Sequence, residues 1–244
     1  MTANPHAIRE RTRRPGGIDS RALPVISPLY IPNLFLWYAA RLETAYGSTD
    51  PVSQWTDQSG NGYHATQATG SLQPLYTTNS INGKAALTFN SDYLRMGAYS
   101  GGNNVSFFYV LAPTATTPRG IIDTAPGAGG TFRNYNTGNF EWQNAAPNIP
   151  MNLANTNPVL LSHLCSLAPA RAVDYYRNGD FIGTYTNAST SAMAWSSPVF
   201  GAINTGSAGY YAGVIAEIII YSRTLSTTEA GQIRSYLNRI YNLY

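Results

Sequence analysis

A single cysteine, Cys165, stands among the 244 residues. It excludes an internal disulfide, so packing must supply the stability. Charge is scarce as well: 11% of residues are Asp, Glu, Lys or Arg, against roughly 25% in an ordinary globular domain. The surface must therefore be built from Ser, Thr, Asn, Gly and some of the 18 tyrosines. No run approaches the roughly 20 apolar residues of a membrane-crossing helix. The opening MTANPHAIRERTRRPGG has charges but no apolar segment of a secretory signal. His6, His64 and His163 are scattered, which gives no metal-ligand spacing. Asn104-Val-Ser and Asn187-Ala-Ser match the glycosylation pattern, and without a signal peptide both are read as chance.

What the chain does have is most concentrated at Gly213–Tyr244. GVIAEIIIY is apolar on both faces of a strand, as expected of a central strand covered on both sides. Simple alternation puts Val214, Ala216, Ile218 and Ile220 on one face and Ile215, Glu217, Ile219 and Tyr221 on the other. Ser226-Thr-Thr-Glu229 is a capping box. Leu225 before it is placed to staple onto Ala230. Ala230, Ile233, Leu237, Ile240 and Tyr241 then recur at helical spacing. The pattern predicts a buried strand, a tight connection and an amphipathic helix.

Residues 1–33 differ in composition. Arg9, Arg11, Arg13, Arg14 and Arg21 face only Glu10 and Asp19, so this arm carries the whole formal charge of +3 and the remainder is neutral. Pro5, Pro15, Pro24, Pro28 and Pro32, with Gly16-Gly17, favour extended backbone. An arm with so little apolar surface cannot order itself, and it is expected to lie along another protein. Five arginines with Tyr30 as the lone aromatic fall short of a nucleic-acid signature.

From Leu34 onward short β runs alternate with Gly/Asn/Pro turns. Strands are predicted at Leu34–Ala40 and Gln54–Trp55, after the Asn-Gly turn within Ile81–Phe89, and at Val105–Leu111, Gly120–Asp123, Thr131–Tyr135, Asn139–Gln143, Val159–Leu167, Ala172–Tyr176, Phe181–Tyr185 and Val199–Ile203. Asn82-Gly83 reads as a turn, and Arg177-Asn-Gly-Asp180 as the best hairpin turn in the chain. The expectation is an all-β, antiparallel two-sheet jelly-roll sandwich over 34–244, with one C-terminal helix and an extended N-terminal arm. No repeat and no second folded domain is visible.

Four blocks carry a family likeness: Leu36-Trp-Tyr-Ala-Ala-Arg41 with Trp55-Thr-Asp-Gln-Ser-Gly-Asn-Gly-Tyr-His-Ala65; Ile81-Asn-Gly-Lys-Ala-Ala-Leu-Thr-Phe89 with Asp92-Tyr-Leu94; Val173-Asp-Tyr-Tyr-Arg-Asn-Gly-Asp180; and Ile215-Ala-Glu-Ile-Ile-Ile-Tyr-Ser-Arg-Thr-Leu-Ser226 with its helix. Together they resemble the laminin-G-like branch of the concanavalin A-like lectin/glucanase superfamily. Domains of that type are frequent in bacteriophage virion proteins and bacterial surface proteins. The resemblance covers about 34–244 and leaves the arm outside. It implies a fold and not an activity, because lectins, glycosidases and structural modules share it.

The chemistry-bearing residues support few roles. Related glucanases set catalytic carboxylates on alternate strand residues, and no two acids of the body stand at that spacing. Glu217, alone between isoleucines, is read as a buried structural acid with an Arg or backbone N–H partner. His163 and Cys165 share a strand face, as a Cys–His nucleophile would, but the run VLLSHLCSL favours core packing. Asp57, Ser59 and Asn61 carry oxygens for a calcium ion; an Asx-turn is the preferred reading, since one carboxylate holds a hard cation weakly. Tyr135, Phe140 and Trp142, with Tyr210-Tyr211, are candidate contacts for a glycan or a partner. No catalytic residue, metal or cofactor is expected.

The arm, the neutral body and the implied fold give the expectation of a non-enzymatic virion structural protein on the particle surface, a phage capsid decoration or head-fibre protein. The arginines of residues 1–33 would pair with capsid or tail subunits. A homo-oligomer is the analogous arrangement. The alternative is a carbohydrate-binding module of a tail fibre or surface protein that meets host glycans, and a remote one is a glycoside hydrolase.

Overall fold

The computed structural model describes residues 26–99, 104–114, 120–124, 132–134, 139–142, 149–150, 157–166, 171–187, 195–203 and 209–244. In chain order the strands are β1 (Leu34–Ala39), β2 (Gln54–Trp55), β3 (Ala65–Thr66), β4 (Leu75–Ile81), β5 (Lys84–Asn90), β6 (Leu94–Arg95), β7 (Val105–Pro113), β8 (Ile122–Asp123), β9 (Phe132–Asn134), β10 (Asn139–Trp142), β11 (Ile149–Pro150), β12 (Val159–Ser166), β13 (Arg171–Arg177), β14 (Asp180–Asn187), β15 (Val199–Phe200) and β16 (Ala212–Tyr221). Helix α1 spans Thr227–Tyr241. The predicted strands are present; β3, β4, β6 and β11 were not predicted, and the polar LYTTNSI of β4 shows why, since little of it is apolar.

Two antiparallel sheets make the sandwich. The larger has eight strands in the order β14-β13-β12-β7-β16-β5-β4, with β1 also paired to β16; the smaller runs β2-β3-β6-β15-β8. Strands β9, β10 and β11 form a separate three-stranded sheet, with β9 lying beside β8. Asn82-Gly83 and Asn178-Gly179 both have positive φ at each residue, 47° and 81° in one turn, 49° and 87° in the other. That twist matches the flanking strands and closes the β4–β5 and β13–β14 hairpins.

Strand β7 shows how one sequence feeds two cores. Val105, Phe107, Tyr109 and Leu111 enter the layer between the sheets, where Leu36, Tyr38, Trp55, Phe89 and Phe200 also pack. Phe108, Val110 and Ala112 enter the layer beneath α1, with Trp37, Ile219, Ile233, Leu237 and Tyr241. Each large aliphatic side chain buried this way contributes about 1.5–3 kcal/mol. The capping box at Ser226 and Glu229 is present, and Leu225 packs with Ala230 in the same layer. Buried Ser106 fixes the helix entry: its Oγ donates to Arg223 O (3.0 Å) and accepts from Leu225 N (2.9 Å).

Strand β16 departs from simple alternation. Its register against β7 slips between Ile215 and Glu217, which leaves Ala216 as an extra residue. The bulge puts Ile215 into the inter-sheet core with Ile218 and Ile220, while Val214, Ala216, Ile219 and Tyr221 face α1. The expected grouping of Val214 and Ala216 with Ile218 and Ile220 is thereby corrected, because one inserted residue exchanges faces on either side of it. The bulge also marks a change of partner: Ala212–Ile215 pairs with β5, and Glu217–Tyr221 pairs with β1.

Glu217 sits at that junction, fully buried. Its Oε1 accepts from Trp37 Nε1 (2.8 Å), and its Oε2 accepts from Arg41 Nε (3.1 Å) and Tyr241 Oη (2.8 Å). Burial pushes its pKa up, against the opposing pull of Arg41, Trp37 and Tyr241. The acid is structural and paired to an arginine, as read from the sequence.

The boundary drawn at residue 33 is corrected. Ile26 and Ile31 pack in the helix-side core, Tyr221 Oη donates to Pro28 O (2.9 Å), and Arg223 Nε donates to Pro32 O (3.2 Å). Residues 26–33 belong to the sandwich because their own apolar side chains find a site on it. Arg9, Arg11, Arg13, Arg14 and Arg21 lie outside the described residues.

Two outcomes follow. Replacing Glu217 with Ala strands Arg41 beside a buried void and is expected to cost about 3–5 kcal/mol by urea unfolding at pH 7; a loss below about 1 kcal/mol would remove Glu217 as the pin. His163 is fully buried and its pKa is lowered to about 3 by desolvation, while the unfolded chain titrates near its ordinary value. The unfolded state thus binds a proton that the folded state refuses between those limits. Stability is complete above about pH 6.5 and falls by about 1.4 kcal/mol per pH unit toward pH 3. His163→Phe is expected to flatten that segment of the stability–pH curve relative to wild type.

Candidate functional site

Across the smaller sheet a row of residues stands in register: Thr66 opposite Arg95, Arg95 opposite Val199, and Val199 opposite Asp123; Thr66 is exposed and Arg95 half-buried, while Val199 and Asp123 are fully buried. The neighbours of the first two along their strands, Ala65 and Leu94, point into the core, so strand alternation alone turns Thr66 and Arg95 outward. Around Thr66 and Arg95 opens a groove of about 450 Å³, lined by these two with Gln67, Tyr93, Ser197 and the segment Met96–Ala98. Its volume lies in the range of small-ligand sites.

Each wall has a cause. Arg95 Nη1 donates to Ser197 Oγ (2.7 Å), and its guanidinium stands 5.7 Å from the Tyr93 ring centroid, an arrangement that holds ring and cation together. Gln67 is committed to structure: its Nε2 donates to Tyr93 O (3.3 Å) and its Oε1 accepts from Thr69 N (3.0 Å). The half-buried Tyr93 ring, the exposed Thr66 hydroxyl and the Arg95–Ser197 pair are left facing the groove. Among the described residues the lining holds no Asp or Glu, the side chains that acid–base catalysis most often uses beside His.

The sequence-derived candidates divide. Tyr211 is corrected: it is 3% exposed, packs edge-on against Phe89 at 6.4 Å, and has its pKa raised well above the usual value by burial. The Tyr211 N–H bonds to Gly201 O (2.8 Å), and that pairing turns the ring into the sandwich. Tyr210, its neighbour, is half-buried and bridges to Gly120. Tyr135 lies outside the described residues, and of Phe140 and Trp142 the backbone is described, in β10.

His163 and Cys165 share the inter-sheet face as expected; the imidazole packs 4.8 Å from the Tyr175 ring and 5.7 Å from Tyr109. Both lie in the core, away from any described groove. Asp57 makes the Asx-turn: Oδ1 accepts from Trp37 N (3.1 Å) and Ser59 N (2.9 Å), and Oδ2 accepts from Ser59 Oγ (2.8 Å) and Tyr63 N (3.1 Å). Asn61 Nδ2 donates to Leu34 O (2.9 Å) and Phe35 O (3.0 Å). Those oxygens are used by the protein to fasten the loop to β1.

Sequence reasoning missed the groove. The alternation Tyr93-Leu94-Arg95 was a usable signal, an aromatic and a cation on one strand face. Gln67 and Ser197 carried none, since they reach the site through pairing of distant strands.

No family model and no curated protein sequence matches the chain. Among solved structures, it is similar to Domain 4 of AbnA, a GH43 extracellular arabinanase from Geobacillus stearothermophilus, solved in complex with arabinotriose: 15% identity, TM-score 0.61, 83% of this chain and 98% of that one. It is also similar to the binding domain of Paraclostridial Mosquitocidal Protein 1, at 14% identity and TM-score 0.60 over 84% of this chain and 53% of that one. The receptor binding domain of botulinum neurotoxin D gives 14% identity and TM-score 0.57 over 85% and 53%. The chain thus spans about half the length of the two toxin domains. At these identities the likeness is one of fold, an antiparallel β-sandwich.

Proposed function

We propose that this chain is a non-catalytic carbohydrate-binding domain whose site is the groove of Thr66, Tyr93, Arg95 and Ser197. The observation that carries the reading is the chemistry of that groove. A sugar ring has an apolar C–H face and a rim of hydroxyls, and the groove pairs the face of Tyr93 with hydroxyl and guanidinium donors. A described lining without carboxylates favours retention over hydrolysis. The likeness to an arabinanase domain solved with arabinotriose supports the same reading by analogy of fold. The low charge of the chain fits a surface that meets neutral, hydrated partners. The virion-anchoring role expected of the arm has no observation in its favour among the described residues, so the binding role takes precedence.

The test is a glycan array followed by titration of the full chain with the best hit. Tyr93→Ala and Arg95→Ala are each expected to weaken binding about tenfold or more, equivalent to about 1.4 kcal/mol, with the melting temperature little changed. Silence across the array would refute carbohydrate binding. Full affinity in both variants would refute this groove as the site.

A further inference from the structure

A second concavity of about 220 Å³ lies on the helix-covered side of the larger sheet, between the β13–β14 turn and α1. Asn178, Gly179, Asp180, Gly231, Arg234 and Tyr244 are in its lining. The Tyr244 ring forms one wall, packed so closely on the turn that a Cβ at Gly179 would stand 3.0 Å from it.

Arg234 is the anomaly of this wall. It projects from α1 and is only 7% exposed. Its guanidinium stacks 4.1 Å from the Tyr176 ring centroid. Its hydrogen bond among the described residues is a long one, 3.4 Å from Nη1 to Ser162 Oγ. The ion pairs among the described residues are Arg41 with Glu217 and Arg223 with Glu229, so no described carboxylate pairs with Arg234. Burial lowers its pKa, against the opposing influence of Tyr176 and Tyr244.

A guanidinium has five N–H donors in one plane and does not give up its proton in a protein. A stacked ring satisfies its face and leaves the in-plane donors to other partners. Buried charge without such partners is costly. Here the cation borders a cavity instead of an acid. We infer that the cavity between the β13–β14 turn and α1 is a binding site for a small oxyanion group, carboxylate or phosphate, held by the Arg234 fork. Either group matches the planar fork bidentately, and the Tyr176 ring fixes the orientation of that fork. The exposed carboxylate of Asp180 also lines the cavity, beyond ion-pair distance of Arg234. It opposes an anion and sets an upper limit on affinity. The inference is independent of the carbohydrate groove, which lies on the other sheet.

The experiment titrates the full chain with sodium phosphate, sodium acetate and sodium chloride at matched ionic strength, by calorimetry and thermal shift. Saturable binding of phosphate or acetate, absent with chloride, is the expected result, and the stronger of the two identifies a tetrahedral or a planar group. Arg234→Gln is expected to weaken it tenfold or more. Asp180→Asn, at an exposed position, is expected to tighten it about twofold, the size of one solvent-screened like charge removed from the lining. No saturable binding of either anion, or undiminished binding in Arg234→Gln, overturns the inference. If Arg234→Gln does not fold, the Asp180→Asn affinity decides: tightening upholds the site and no change overturns it.

Discussion

The carboxylate of Glu217 is the point at which three parts of the molecule are tied together. Trp37 of β1, Arg41 just beyond β1 and Tyr241 at the end of α1 all donate to it. A charge in that position is tolerable only because donors surround it, and each donor must be delivered by a different element. Strand pairing, the turn after β1 and the seating of α1 are therefore coupled. The Ala216 bulge completes the arrangement by turning Glu217 to the helix side at the place where β16 exchanges β5 for β1.

The helix has a consequence for where ligands can bind. One face of the larger sheet is covered by α1 and the other by the smaller sheet, so its central strands are buried on both sides, as the unbroken burial of β7 illustrates, while the edge strands β4 and β14 stay partly exposed. The smaller sheet retains an outer face, and the groove of Tyr93 and Arg95 lies there. Its strands are two residues long, which leaves most of the surrounding surface to turns and loops. Variation in such loops changes a surface without disturbing the core.

The scarcity of charge gives weight to the few buried ions. Arg41 has its acid; Arg234 has an aromatic ring and a cavity. Arg223, near the surface, pairs through both terminal nitrogens with Glu229 (2.9 and 2.6 Å), and that contact helps bring the Glu229 pKa down to about 2. The same Glu229 carboxylate accepts from Ser226 N (2.9 Å) and belongs to the capping box. Few charges are present, and Arg41 and Arg223 each tie a specific joint through an acid.

Much of this was legible in the sequence because it depends on neighbours along the chain. Period-two alternation located most strands, Asn-Gly pairs located two hairpins, and Ser226-Thr-Thr-Glu229 located the helix start, since turn, cap and pleat are local physics. Leu75–Ile81 escaped because half of its residues face water. The bulge at Ala216 escaped because an extra residue is visible only against a partner strand, and the inward rotation of Tyr211 because it depends on Gly201, ten residues away. The groove was beyond reach for the same reason: Thr66, Tyr93, Arg95 and Ser197 converge through cross-strand pairing and carry no common motif. The chain by itself determined most of the strands and the helix; only the tertiary structure decided which side chains share a face, because register is a property of pairs of strands and not of any one of them.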